Sequence, residues 1–137
     1  MPVRTAVEKE KPAGIALLTA RTLTALGAVC VLGIGTGALL WPRASTRTYG
    51  IPSDDPVAHG YVRATAARDL VMGGFVLWSA LAGNRPAMQA GLAACILAPL
   101  ADFLIARERS GNVPQLLIHA AGVAGVSATL ALVRAGL

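Results

Sequence analysis

The sequence predicts an all-α fold, a four-helix transmembrane bundle in which successive helices run up, down, up and down. The chain has 137 residues, of which 55% are hydrophobic and only 14% charged, with a mean hydropathy of +0.61. In a soluble domain about a quarter of the residues are charged. The apolar residues form four runs near or above the ~20 residues that a helix needs to span a bilayer. Short polar connections join the runs, which favours neighbouring helices of opposite direction.

The chain has room for one domain. Residues 1–12 are polar and of mixed charge, so we expect a disordered N-terminal tail, and residues 13–134 then form the transmembrane domain. Its four spans cover about residues 13–41, 57–83, 87–106 and 113–133. A signal peptide is the competing interpretation of the first run. The apolar core of a signal peptide has only about 7–15 residues, so a retained helix is preferred.

The longest polar connection, residues 42–56, contains prolines, aspartates and a glycine, and this composition predicts a loop. At its end, Asp55 and Pro56 predict the start of the second span, because a capping side chain followed by proline is typical of a helix N-terminus. Four spans place both termini on one side of a cell membrane and this loop on the other. The positive-inside bias is slight, and we expect the termini in the cytoplasm.

The formal net charge of +5 does not indicate nucleic-acid binding. Arginines stand at the edges of the apolar runs, where they can face lipid head groups. No basic stripe is interleaved with aromatic residues, so we expect a lipid bilayer, and no nucleic acid, as the partner. Cys30 and Cys95 lie inside apolar runs and are interpreted as packing residues. No cluster has the spacing of metal ligands, so we expect neither a metal nor another cofactor.

Polar residues inside the second span are the main functional signal. Arg68 and Asp69 lie about ten residues from its start. A charge near the bilayer centre costs about 2.5–3.5 kcal/mol on insertion scales, so this span is marginal by itself and both charges need compensation. Residues three and four apart share a helix face, which predicts one polar stripe. The stripe consists of Tyr61, Thr65, Arg68, Asp69 and Met72.

The third and fourth spans add further polar groups. The third contributes Asp102, and the fourth contributes His119 and, one turn earlier, Gln115. At ~1.5 Å per residue, Asp102 and His119 lie roughly 8–12 Å below the membrane surface. Arg68 and Asp69 descend from the same surface to roughly 15–18 Å. Four groups from three helices are therefore expected to meet in one half of the bilayer.

Two interpretations of this cluster remain open. In the first it is a pocket that binds a lipophilic, isoprenoid-like small molecule, or isomerises or cyclises it with Asp69 or Asp102 as acid and His119 as base. The binding residues of this pocket would be Arg68, Tyr61, Thr65 and Gln115. In the second, Arg68 forms a structural salt bridge with one of the carboxylates. The protein would then be a non-catalytic membrane subunit or small permease component, in a homo-oligomer or a larger membrane complex.

Short motifs in the last three spans carry a family resemblance. They are Ala67-Arg68-Asp69-Leu70 with Gly73-Gly74, Pro99-Leu100-Ala101-Asp102, and Ile118-His119. With these motifs the chain resembles, over roughly residues 17–133, a family of small four-helix membrane proteins known as domain of unknown function 4267. The resemblance implies membrane topology and supports the polar positions, but it implies no reaction.

Overall fold

The computed structural model describes residues 7–109 and 112–135, with side chains from Gly14 onward. The described residues form five α-helices and no strand, which confirms the all-α class. The helices are α1 (Val7–Leu40), α2 (Pro42–Thr48), α3 (Pro56–Leu81), α4 (Arg85–Arg109) and α5 (Val113–Ala135). α1 begins within the segment predicted as a disordered tail, of which residues 1–6 lie outside the described residues.

A four-helix bundle is not confirmed, because α2 forms inside the segment that was predicted to be a loop. Pro42 starts this helix, and the ring of proline presets the backbone angle that a first helical turn needs. The buried Thr46 then holds the following turn, since its Oγ1 donates to the carbonyl of Arg43 (2.9 Å) and accepts from the amide of Ser53 (3.3 Å). Gly50 supplies the positive φ of +82° that the turn requires.

The start of α3 agrees with its sequence signal. Asp55 is the capping residue, and its Oδ1 accepts a hydrogen bond of 2.9 Å from the amide of Val57. Pro56 occupies the first helical position, where its missing amide proton costs nothing. This cap fixes the direction in which α3 leaves the α2 segment.

The four long helices pack as two pairs, α1 with α3 and α4 with α5, which meet along α3–α4 and α1–α5. Small residues allow close approach within the α1–α3 pair. A Cβ atom on Gly35 would lie 3.2 Å from the carbonyl oxygen of Ala66, and one on Gly73 would lie 3.3 Å from that of Ala28. This contact is of the kind that membrane helices use, because backbone approach replaces large interdigitating side chains.

Arginines cap the carboxyl ends of neighbouring helices. Arg21 of α1 donates from Nε to the carbonyl of Ala80 and from Nη2 to that of Leu81, both at 3.0 Å. Arg85 of α4 donates from Nη2 to the carbonyl of Val133 in α5 at 2.7 Å. A guanidinium group satisfies carbonyls that lack a helical partner and opposes the negative end of the helix dipole. Arg21 lies in the first half of α1 and Arg85 is the first residue of α4, and each contacts the end of its partner helix, so both pairs are antiparallel.

The largest fully buried apolar side chains of the core lie at these capped ends. Met88 and Val133 are fully buried there, together with Ala20 and Ala80. We call this part, with Arg21 beside it, the closed end.

Three helical segments are long and apolar enough to cross a membrane, by length and composition: Gly14–Leu40, Arg85–Arg109 and Val113–Ala135. α3, which carries Arg68 and Asp69, is not among them. Large apolar side chains on the outside of the protein, such as Leu26, Leu97 and Leu117, are exposed. Soluble monomers rarely expose such continuous apolar surface, so the three helices suggest a membrane protein.

Candidate functional site

One cavity of about 410 Å³ is lined by titratable residues from three helices. Asp69 of α3, Asp102 of α4 and His119 of α5 all line it. The cavity lies in the half of the protein next to α2, and we call this half the open end. Its other walls are largely apolar, as in most small-molecule sites, where few polar groups fix the orientation of a ligand.

His119 and Asp69 are the two buried groups of this set, and Asp102 is partly buried. His119 is 8% exposed, and its Nε2 atom has no hydrogen-bond partner among the described residues. The ring of Tyr49, in the turn after α2, stacks on the imidazole with 5.7 Å between ring centroids and 16° between planes. Stacking fixes the plane of the imidazole but satisfies neither ring nitrogen. A buried nitrogen without a partner costs about 1–3 kcal/mol, so its position calls for an explanation.

Tyr49 adds a hydrogen-bond donor to the same cavity. Burial raises the pKa of its phenol to about 12, and the carboxylates of Asp102 and Asp69 contribute in the same direction. The phenol therefore keeps its proton throughout the neutral range. No hydrogen bond to its hydroxyl group is found within the described part of the chain.

Arg68 pairs with the neighbouring Asp69. Its Nε and Nη2 atoms donate to Oδ1 of Asp69 at 3.1 and 2.9 Å. The Arg68 side chain is 41% exposed and is not part of the cavity wall, so it reaches the carboxylate from outside. No hydrogen bond to the second oxygen of Asp69, Oδ2, is found over residues 14–109 and 112–135.

Asp102 lies in a different setting. It is partly buried in the cavity wall, and among the described side chains it has neither an ion pair nor a hydrogen bond. Pro99, one turn earlier in α4, faces Gly122 of α5, where an added Cβ would lie 3.3 Å from the proline Cβ. This close approach sets the spacing between the walls that carry Asp102 and His119.

The structure does not bring Tyr61, Thr65 or Gln115 to the cavity wall. Tyr61 is 73% exposed, and the Thr65 hydroxyl group donates to the Tyr61 carbonyl of its own helix (3.0 Å). Gln115 has a buried Oε1 without a partner among the described residues, but it lies outside the cavity lining. The predicted stripe was too broad: at ~100° per residue, Tyr61 is rotated about 80° and Arg68 about 100° from Asp69.

Residues of the α2 segment complete the cavity, although the sequence pattern did not predict them. Ser45, Thr48 and Tyr49 all line it. The helical periodicity that linked the other groups cannot reach a residue in a turn. The available signal was an aromatic residue with a hydroxyl group in a segment otherwise rich in small and polar side chains. Among the described residues, no group of histidine, cysteine, aspartate or glutamate could hold a metal ion.

Fold and composition together define an all-α class with three helices long and apolar enough to cross a membrane, which suggests a membrane protein. The model of the family described as domain of unknown function (DUF4267) matches residues 27–133. The chain belongs to this family, as its motifs indicated. The matched region includes Tyr49, Asp69, Asp102 and His119, although the family description names no activity. No curated protein and no solved structure matches the chain.

Proposed function

We propose that this protein is a multi-pass membrane protein whose open-end cavity binds a lipophilic small molecule by its polar group. One observation carries the proposal: Asp69, Asp102 and His119 come from three helices to one cavity. A structural salt bridge explains Asp69, which is paired with Arg68. It does not explain Asp102 and His119, which have no such partner among the described residues. Ionisable groups within membrane segments are costly, and a ligand accounts for their presence.

The proposal includes four membrane spans, with α3 as the second of them and α2 between the first two. Outward side chains of α3 such as Val71 and Leu81 are large, apolar and exposed, as lipid contact requires. Its pairing of Arg68 with Asp69 reduces the cost of carrying both charges into the bilayer. A cysteine at Arg47 should then be labelled from the extracellular side and one at Arg134 from the cytoplasm. Labelling of both from the same side would contradict four spans.

The cavity groups support proton-transfer chemistry. The two carboxyl groups have different surroundings, since Arg68 contacts Asp69 and leaves Asp102 free to face a ligand. Asp102 can give a proton to one atom of a bound molecule while His119 removes a proton from another. The exchange changes the position of a double bond or closes a ring, and it balances without an added reactant. An isomerase or cyclase of a lipophilic substrate is therefore the enzyme class that we propose.

The test compares cavity variants with chemically matched variants outside the cavity. Protein in phosphatidylcholine nanodiscs is incubated with a membrane lipid extract, and the retained molecules are identified by mass spectrometry. Asp102→Asn and His119→Gln should retain about tenfold less of the ligand, or retain it unconverted, since a hydrogen bond to an ionisable group contributes about 1.5–3 kcal/mol. The matched controls are Asp54→Asn, at an exposed ion pair, and His59→Gln, whose ring nitrogen contacts the Ser53 carbonyl.

Equal retention by all four variants would refute the pocket. A wild-type protein that retains no lipophilic molecule but copurifies with another membrane protein would instead support the non-catalytic subunit.

A further inference from the structure

A second cavity, of about 260 Å³, continues the first towards the closed end. It is almost wholly apolar, and its lining includes Gly27 and Ala28 of α1 and Gly125 of α5. The two cavities share the wall residues Val31, Cys95, Gly122 and Val126. The two cavities are therefore adjacent, and we call them together the chamber, with a polar end and an apolar end. Small residues create the apolar end, because no atom comes within 4 Å of a Cβ added to Gly27 or Gly125.

The chamber opens sideways between α1 and α5. Ile34 of α1 and Ile118 of α5 both line it, yet they are 59% and 56% exposed, so they form a rim. Leu23 continues the rim along α1, and Ala121 and Gly125 continue it along α5; all three are exposed. From residue 23 to residue 34 the rim is about 16 Å long at ~1.5 Å per residue. An apolar opening of this shape faces lipid rather than water in the proposed topology.

The polar end restricts the head group of a ligand. Among the described residues, no lysine or arginine lines the chamber, so an anionic head group would face Asp69 and Asp102 without a counter-ion. An ammonium head group also lacks a counter-ion, because Arg68 already neutralises Asp69 and Asp102 is the proton donor of the proposed chemistry and therefore uncharged. A neutral oxygen, as in an alcohol or a ketone, can accept from Tyr49. A hydroxyl group can in addition donate to His119 or Asp102.

We infer that the chamber holds a single-chain lipophile with a neutral oxygen head group at Tyr49, Asp102 and His119 and its chain in the slot between α1 and α5. The inference rests on the proposed function and specifies its ligand class. The ligand enters laterally from the bilayer. Double-chain phospholipids do not fit, because their head groups carry charge and the apolar end has space for one chain.

Cys95 provides a reporter, since it lies in the wall that both cavities share. In a Cys30→Ser background it is the only thiol of the chain. Its reaction with N-ethylmaleimide is followed in phosphatidylcholine nanodiscs with added dodecanol, dodecanoate or dodecylamine. We expect dodecanol to slow the reaction. About tenfold higher concentrations of dodecanoate or dodecylamine should be needed for the same protection. A factor of ten corresponds to a difference of about 1.4 kcal/mol in binding free energy.

Two glycine substitutions test the slot. Gly27→Leu and Gly125→Leu place a side chain in the apolar end and should raise the dodecanol concentration for half-protection about tenfold or more. Gly33→Leu is the matched control: it lies on α1, also has open space around its Cβ position, and lies outside the chamber. A dodecanol with a diazirine at its chain end gives a second readout, and its crosslinks should map to α1 and α5 along the slot.

Equal protection by a charged probe would overturn the head-group assignment. Unchanged protection in Gly27→Leu and Gly125→Leu, or crosslinks outside the slot, would overturn the chain assignment.

Failure of this inference can be distinguished from failure of the proposed function. If Asp102→Asn and His119→Gln lose a molecule from the lipid extract while dodecanol does not protect Cys95, the pocket stands and the single-chain ligand is wrong. If dodecanol protects but no extract molecule depends on those residues, the slot stands and the acid–base pocket is wrong.

Discussion

At the closed end the polar groups named above form hydrogen bonds with the protein itself, whereas at the open end several polar atoms have no hydrogen-bond partner among the described residues. Arg21 binds the carbonyls that end α3, and the buried hydroxyl groups of Thr24 and Ser79 donate to carbonyls of their own helices at 2.7 and 2.8 Å. His119 is as deeply buried as a core residue, yet its Nε2 atom has no partner in the described part of the chain. Asp102 shares its cavity.

This difference is the one that we expect between a structural region and the binding site that we propose. A fold gains stability when buried polar groups are paired, and it loses stability when they are left unpaired. The closed end therefore has the properties of a scaffold. The open end keeps unpaired groups around empty volume, at a cost in stability, which is typical of binding and catalytic sites.

The largest expected effect comes from truncating matched methionines at the two ends. Met88 is fully buried at the closed end, whereas Met72 lines the open-end cavity. Met88→Ala should lower the free energy of unfolding by about 2–5 kcal/mol, because it creates a new void in close packing. Met72→Ala only enlarges an existing space and should cost clearly less. Unfolding in detergent with increasing denaturant measures both. Equal losses would show that the open end is packed as tightly as the closed end.

The next effect concerns the arginine caps. Arg21→Met keeps much of the apolar stem but removes two hydrogen bonds to α3, so it should cost about 1.5–3 kcal/mol. Arg47→Met is the matched control, because Arg47 is exposed and no hydrogen bond to its side chain is found among the described residues. Thermal unfolding in detergent should show a shift for Arg21→Met and almost none for Arg47→Met. Similar shifts would indicate that the caps add nothing beyond a general effect of positive charge.

Much of the helical structure could be predicted from the sequence, since apolar length alone indicates helices. α2 could not, because five of its seven residues are polar and its helical form depends on Pro42 and on hydrogen bonds of Thr46. The sequence also did not predict the rotation of each helix about its own axis. Periodicity placed Arg68 and Asp69 on one broad face, whereas packing turns Asp69 inward and leaves Arg68 outside.

The candidate site was predictable in part for a physical reason. Titratable residues within apolar runs are costly, so Asp69, Asp102 and His119 stood out, and their depths indicated one half of the bilayer. The structure places all three on one cavity. Tyr49 was missed because it reaches the cavity from a turn, and only the tertiary structure shows its stacking on His119. The slot was missed because glycines predict close packing as readily as open space.

A smaller effect is expected for the ion pair between Arg68, on the outside of α3, and Asp69, in the cavity wall. Arg68 and Asp69 form a partly exposed ion pair, so their coupling energy should be about 0.6 kcal/mol and at most about 1.7 kcal/mol, the average and the maximum measured for interhelical side-chain hydrogen bonds in a membrane protein. A double-mutant cycle with Arg68→Leu and Asp69→Leu measures it. The matching cycle of Arg68→Leu with Asp102→Leu should show less coupling, since no ion pair joins those residues. Stronger coupling of Arg68 to Asp102 than to Asp69 would show that Arg68 is the counter-charge of Asp102, and the pairing with Asp69 would be wrong.

The smallest effect at neutral pH is expected for Tyr49→Phe. Phenylalanine keeps the stacking on His119 and removes only a hydroxyl group that has no partner among the described residues, so stability should change by less than about 0.5 kcal/mol.

The stabilities of the wild type and Tyr49→Phe should diverge at high pH. An unfolded tyrosine ionises near pH 10, whereas the buried phenol of Tyr49, whose pKa is raised to about 12, keeps its proton. Between those values the unfolded state binds fewer protons than the folded state, so stability is full below pH 10 and falls as the pH rises towards 12. Thermal unfolding in detergent from pH 8 to pH 12, as a difference between the wild type and Tyr49→Phe, isolates this contribution. A difference that stays constant with pH would show that Tyr49 is not held in the low-polarity cavity, and the open end would lose its neutral donor.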